Sequence, residues 1–318
     1  MHSQTNSGTT YQKQQSDDGD ANTAETHEDR HRRDNRTNPS THPLGLFYAR
    51  KGANMALQVS PKIQKKAQKR IRVLTIDIET APNLAYVWGF FKQNIGLNQV
   101  VEQTRMLCWV GKWYGAKQTM FYSEHRDGRE AMIHAAWNAL NDADIVVTYN
   151  GDRFDIKHLN REFAELGLTP PRPFKSIDLY KVVKKEFAYS SSKLDNITQR
   201  LGLPGKLSHT GFDLWLGCMS GDENAWSLME RYNRKDVVIT ERLYDRLRGW
   251  IRNHPHIGQF TGQEWCCGNC GNTDVSNGRD GEAFTFVQKY RAYKCGRCGS
   301  WLRGTKRLQN PVQTRTYK

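Results

Sequence analysis

The sequence predicts an α/β domain, a mixed sheet flanked by helices, followed by a small module folded around a metal. Three observations carry that expectation. Runs of β-branched and apolar residues at 72–80, 107–114, 118–122 and 144–149 are interleaved with stretches of helical period. The first run ends in two carboxylates, Asp77 and Glu79, which a strand tolerates at its edge and not in its middle. Beyond residue 265 lie five of the seven cysteines, four of them in two C-x-x-C pairs.

The chain has 318 residues, is 37% hydrophobic and carries a formal charge of +14. Its mean hydropathy is −0.78 and its pI is near 9.5. That size implies one main domain with appendages. Residues 1–60 are Ser, Thr, Asn, Gln, Asp, Gly and charge with almost no apolar period. Such a segment buries too little surface to offset its ordering entropy and is expected to be disordered. Its His-rich run at 27–33 reads as a solvated charge cluster, and Met55 is a candidate translation start. No run approaches the roughly 20 apolar residues of a membrane span, and no signal peptide opens the sequence, so a cytoplasmic location without a membrane partner is expected. The basic charge favours a polyanionic partner, nucleic acid first. Cys108 and Cys218 stand alone in apolar contexts and read as buried thiols.

In chain order, a basic run at 62–72 leads into the first strand, and Ala81-Pro82-Asn83 closes it with a turn. Two strands, 107–114 and 118–122, flank Gly115 and form an antiparallel pair. Residues 129–140 place Ile133, Ala136, Trp137 and Leu140 on one helical face. A buried strand at 144–149 precedes a helix at 154–166 with Ile156, Leu159, Phe163 and Leu166 inward. A short strand at 175–179 enters a helix at 180–187, and a helix at 194–201 is stopped by Gly202 and Pro204. Segments 225–232 and 237–250 read as a long terminal helix with room for a kink.

Side chains two apart on a strand share a face, so Asp77 and Glu79 sit side by side with Leu74, Ile76 and Ile78 opposite. Adjacent carboxylates at the end of an apolar strand repel and lose hydration. A divalent cation with oxygen ligands relieves both effects; emergence into solvent is the plainer reading. Asp155 follows the second buried strand in a first helical turn, where it, or Asp152, also suits a cap. Its neighbours Phe154 and Ile156 seat it beside the core. Tyr232 and Asp236 are four apart on one helix face just ahead of Val237-Val-Ile239. Asp178, at the edge of a short apolar run, fits a helix cap or a supporting role better than a metal ligand. Lys206 and His209 fall in a polar loop that could contact phosphate or simply be solvated.

Taken together, Asp77-x-Glu79, Asn150 with Phe154-Asp155 and Leu159, and Tyr232-x-x-x-Asp236 resemble the three motifs of the DEDD, or DnaQ-like, 3′–5′ exonucleases. The tyrosine marks the DEDDy subgroup. The resemblance spans roughly residues 70–252 and implies a ribonuclease H-like fold. It implies that Asp77, Glu79, Asp155 and Asp236 hold two Mg²⁺ or Mn²⁺ ions for phosphodiester hydrolysis, with Tyr232 orienting the attacking water. Asn150, Phe154, Lys206 and His209 become candidate substrate contacts. Single-stranded DNA is favoured over RNA as substrate. No polymerase-like domain is evident, so proofreading would need a separate replication or repair partner. An RNA-directed or structure-selective nuclease of the same fold is the alternative, as is a non-catalytic nucleic-acid-binding protein.

Cys267-Gly-Asn-Cys270 and Cys295-Gly-Arg-Cys298 have the knuckle spacing of a zinc ribbon with one structural Zn²⁺. Cys266 abuts the first pair but breaks the spacing. Between the knuckles, 284–287 and 290–293 alternate like strands. The module's Lys and Arg residues are interleaved with Tyr290, Tyr293 and Trp301, a mixture that suits single-stranded nucleic acid, with protein docking as the competing reading. The expected organisation is a disordered segment at 1–60, a nuclease domain at 61–254, a ribbon at 262–305 and a basic tail at 306–318.

Overall fold

The computed structural model describes residues 70–314 apart from His209. The expectations for the first 60 residues, for Met55, for His209 and for the last residues of the tail lie outside the described residues. The strands are β1 Val73–Thr80, β2 Leu84–Ala85, β3 Val100–Glu102, β4 Met106–Trp113, β5 Met120–Ser123, β6 Ile145–Thr148, β7 Lys175–Asp178, β8 Val275–Phe284, β9 Lys289–Cys295 and β10 Trp301–Arg307. The helices are α1 Glu124–Asp127, α2 Arg129–Asp142, α3 Asp155–Glu165, α4 Leu179–Glu186, α5 Leu194–Arg200, α6 Phe212–Met219, α7 Glu223–Leu247 and α8 Gly258–Thr261. No helix among the described residues is long and apolar enough to cross a membrane.

The main sheet runs β5-β4-β1-β6-β7, antiparallel on one side of β1 and parallel on the other. Helices cover both faces, which is why β1, β4 and β6 are apolar along most of their length. On one face Leu74, Ile76 and Ile78 pack with Trp109 under α2 and α3, through Ile133, Leu140, Leu159 and Phe163. On the other, Val73 and Ile145 meet α4, α5 and α7, while Leu107 and Val110 meet α6 and α7. Asp77 and Glu79 alternate onto this second face, towards α7.

The long terminal helix is present as the continuous 25 residues of α7. Two local expectations change. Residues 284–287 do not form a strand: β8 ends at Phe284, and Thr285 N–H closes a turn on the Gln288 carbonyl at 2.9 Å. Both α6 and the β2–β3 hairpin arise where no element was expected. Cys108 and Cys218 are buried free thiols, as anticipated.

Candidate nuclease site and metal centre

The parallel ladder between β1 and β6 covers only Val73, Leu74 and Thr75, so β1 runs on past its neighbour. The backbone groups left over need partners. Ile78 N–H donates to Asp155 Oδ1 at 3.0 Å, which draws the first residue of α3 against the acid-bearing end of β1.

The turn between β6 and α3 makes that approach possible. Asn150 sits at φ +69°, a left-handed conformation that asparagine tolerates. A Cβ on Gly151 would lie 2.4 Å from Thr148 Cβ, so the chain can fold back only with glycine there. Asp178 pins this turn from the side. Its carboxylate accepts Asn150 N–H at 2.8 Å and Asp152 N–H at 3.4 Å, and caps α4 through Tyr180 N–H at 3.0 Å. It acts as a cap and a brace, as its sequence context suggested.

The second wall is α7. Its buried stripe contains Tyr232, Asn233 and Asp236 among Met229, Val237 and Thr240. Asn233 Nδ2 donates to Asp77 Oδ2 at 2.6 Å. Lys206 Nζ donates to Asp236 Oδ2 at 2.5 Å and to Tyr232 OH at 3.3 Å, and lies 5.3 Å from the Tyr232 ring centroid. Trp215 of α6 packs edge-on against Tyr232 at 6.3 Å.

Asp77, Asn150, Phe154, Lys206, Tyr232 and Asp236 line one cleft of about 1100 Å³. Glu79 and Asp155 are not among these lining residues but act on Asp77 electrostatically. Burial first, then Asp155, Glu79 and Asp236, raise the Asp77 carboxyl well above its ordinary range, while Lys206 opposes them. Burial and Asp236 push Glu79 up to about 8. Asp155 is pushed to about 7, mainly by burial, against the lowering pull of Ile78 N–H. Desolvation and the same acids push the Tyr232 phenol up as well, so it keeps its proton at neutral pH.

An all-oxygen set of mutually repelling acids fits hard divalent cations, and the Lys206 ammonium drawn onto Asp236 shows the demand for positive charge. Sequence reasoning missed Asn233 and the cleft residues Tyr149, Arg153, Tyr180 and Lys184. A polar residue in the buried stripe of α7 was the available signal for Asn233.

The four knuckle cysteines form a different centre. Their sulfurs all lie within 4.8 Å of one another and could hold a metal ion. The pairs Cys267–Cys298 and Cys270–Cys295 are each 3.6 Å apart. A tetrahedral ion with bonds of about 2.3 Å places sulfurs about 3.8 Å apart. Cys266 stays outside, its Sγ turned to the Gln263 carbonyl at 3.6 Å. Among the described residues no second group of three metal-type ligand atoms comes so close.

The module is fastened to the end of α7. Asn269 Nδ2 donates to the carbonyls of Arg248 and Ile251 at 2.7 and 2.9 Å. A Cβ on Gly249 would lie 2.5 Å from the Cys298 carbonyl oxygen.

A family model described as the RNase_H superfamily matches residues 74–248, a little over half of the chain. No curated protein sequence matches. Solved structures that match include the family B DNA polymerase from the hyperthermophilic archaeon Pyrobaculum calidifontis, at 18% identity and a TM-score of 0.44. That match covers 56% of this chain and 24% of the polymerase, so the chain spans about a quarter of that protein's length.

Proposed function

The chain belongs to the RNase_H superfamily, and on that premise we propose that it is a metal-dependent 3′–5′ exonuclease of single-stranded DNA. The observation that carries this reading is the convergence of acids from three distant segments on one cleft beside a buried phenol. Asp77 comes from β1, Asp155 from the start of α3 and Asp236 from α7. Strand order alone would not bring these three together.

Asp77, Glu79, Asp155 and Asp236 would hold the divalent ions, Mg²⁺ or Mn²⁺. When bound, such ions supply an activated water and neutralise charge growing at the reacting phosphate. The protein's own groups do the rest. Asn233 fixes the Asp77 carboxylate by donating to it, and Ile78 N–H fixes Asp155. Tyr232, held protonated by its surroundings, orients the water as a donor and does not act as a base. Lys206 is free to turn from Asp236 to a substrate phosphate once cations occupy the site, and Asn150 and Phe154 present polar and aromatic surface to the terminal nucleotide. The cysteine cluster holds Zn²⁺ as a closed structural site, a reading supported by its sulfur spacing. These two centres support a division into a nuclease domain at 61–254 and a ribbon at 262–305.

The test is incubation with Mg²⁺ or Mn²⁺ and single strands of DNA and RNA labelled at either end. Laddered shortening of 5′-labelled DNA is expected. Cuts in closed circles, or no release of nucleotides from any strand, would overturn the reading.

A further inference from the structure

The pairing register of the small sheet sorts its cations and rings by face. In the order β10-β9-β8, Trp301 pairs with Lys294, Arg303 with Ala292, and Arg307 with Tyr290. Across β8, Ser276 pairs with Lys294 and Ala283 with Tyr290. Directly opposed residues share a face. One face therefore carries Tyr290, Lys294, Trp301, Arg303 and Arg307 over small residues, with no acid at these paired positions. The opposite face carries Arg291 paired with Glu282, and Glu282 forms an ion pair with Lys289 at 3.3 Å.

On this first face the cations rest on the rings. Arg303 Cζ lies 4.5 Å from the Tyr290 centroid and Lys294 Nζ 5.6 Å from that of Trp301. Among the described residues Lys294, Arg303 and Arg307 make no ion pair. Trp301 is 58% exposed, and it lies across Gly278, where a Cβ would be 2.2 Å from Cζ3 of the indole. Glycine at 278 gives the indole its seat. Three cations with no ion pair among the described residues, beside two rings, complement a polyanion whose bases are free to stack.

We infer that this face, Tyr290, Lys294, Trp301, Arg303 and Arg307, is a second binding surface for single-stranded nucleic acid. Bases stack on Trp301 and Tyr290 while the three cations turn to phosphates. The inference rests on the reading of the chain as acting on nucleic acid. It separates that surface from the carboxylate cleft, and it selects one side of the module over the other.

The experiment is fluorescence-anisotropy titration of labelled oligothymidylate and oligouridylate with the full zinc-loaded chain, without added Mg²⁺ or Mn²⁺. Trp301→Ala is expected to weaken binding of either strand about tenfold, within the range for one lost base–ring stack. The double variant Arg303→Ala/Arg307→Ala should lower the slope of log affinity against log salt by about 1.4, two phosphate contacts on a single strand. Arg303→Ala alone should weaken binding, whereas Arg291→Ala, which removes the same single charge from the opposite face, should leave affinity unchanged. Retained zinc shows that each variant is folded. Equal losses from Arg291→Ala and Arg303→Ala, or unchanged affinity in Trp301→Ala, would overturn the assignment, as would the absence of binding to both strands. Hydrolysis of a nucleoside phosphate ester, which occupies the cleft alone, is read separately. If that hydrolysis persists while the binding pattern fails, only this surface falls. If the pattern holds and no substrate is hydrolysed, only the exonuclease reading falls.

Discussion

Replacing Asp155 by Asn should abolish nucleotide release and, in protein free of Mg²⁺ and Mn²⁺, make the fold more stable at pH 8. Asparagine keeps the shape and the oxygen that accepts Ile78 N–H at 3.0 Å, and removes only the charge. The wild-type carboxyl is pushed from its usual 3.8 to about 7, chiefly by burial. A folded value raised above the unfolded one means the native state holds the proton more tightly. Its contribution to stability is complete below about pH 4 and is lost as pH rises through about 7. Three units at roughly 1.4 kcal/mol each set an upper bound of about 4 kcal/mol for the ionised acid at pH 8. Glu79 and Asp77 compete for the same relief, so about half of that is the expected gain in the variant, or ~4–8 °C in melting temperature for a protein of this size. Thermal unfolding from pH 4 to pH 8 checks it. The two curves should coincide at the acid end and separate through neutrality, and adding Mg²⁺ should close the gap from the wild-type side. A variant that is less stable at pH 8, or that still releases nucleotides, would refute the reasoning that charge crowding at this site awaits a cation.

Asn233→Leu leaves the Asp77 carboxylate without its buried donor at 2.6 Å. The Mg²⁺ concentration for half-maximal activity should rise about 10–100-fold, as for other lost supports of metal ligands, and a Mg²⁺ titration of activity measures it. Lys206→Met removes the ammonium that competes for Asp236 at 2.5 Å. Mg²⁺ binding, followed by calorimetry, should tighten about tenfold, equivalent to ~1.4 kcal/mol for a charged hydrogen bond, while turnover at saturating metal falls. Gly249→Ala would push a methyl to within 2.5 Å of the Cys298 carbonyl oxygen. Such overpacking should cost about 1–3 kcal/mol, read as a lowered unfolding midpoint together with faster zinc release to a chromogenic chelator.

Much of the fold was legible because its strands and helices bury one consistent face. β1, β4, β6, α2 and α3 carry apolar residues at the spacing their geometry demands, and Gly115 and Gly202 mark breaks with φ of +78° and +65°. The failures have physical causes. Helix α6, Phe-Asp-Leu-Trp-Leu-Gly-Cys-Met, is apolar on nearly every side and only eight residues long, so no period emerges. Its Gly217 lies where a Cβ would come within 2.6 Å of Ala225 Cβ, a contact with α7 that composition cannot announce. The β2–β3 hairpin has strands of two and three residues, and the segment it spans leaves Trp88 98% and Phe90 94% exposed. Hydrophobicity points the wrong way there.

The site divides along the same line. Asp77, Glu79, Asp155, Tyr232 and Asp236 stand out in the sequence because each is a polar group at the border of an apolar run. Asn233 does not stand out, since its role depends on an aspartate 156 positions away. The same residue explains why α7 read as two pieces. Tyr232, Asn233 and Asp236 occupy the inward stripe, where apolar side chains are expected, and Arg231, Arg234 and Lys235 surround them, so the pattern looks like a gap. In three dimensions the gap is the turn of the helix that faces the carboxylates. Each of these three residues touches another segment: Tyr232 and Asp236 meet Lys206, and Asn233 meets Asp77. An interruption of hydrophobic period inside a continuous buried helix thus marks where the chain gives up packing for charge. In this protein it falls opposite the two acids that end β1.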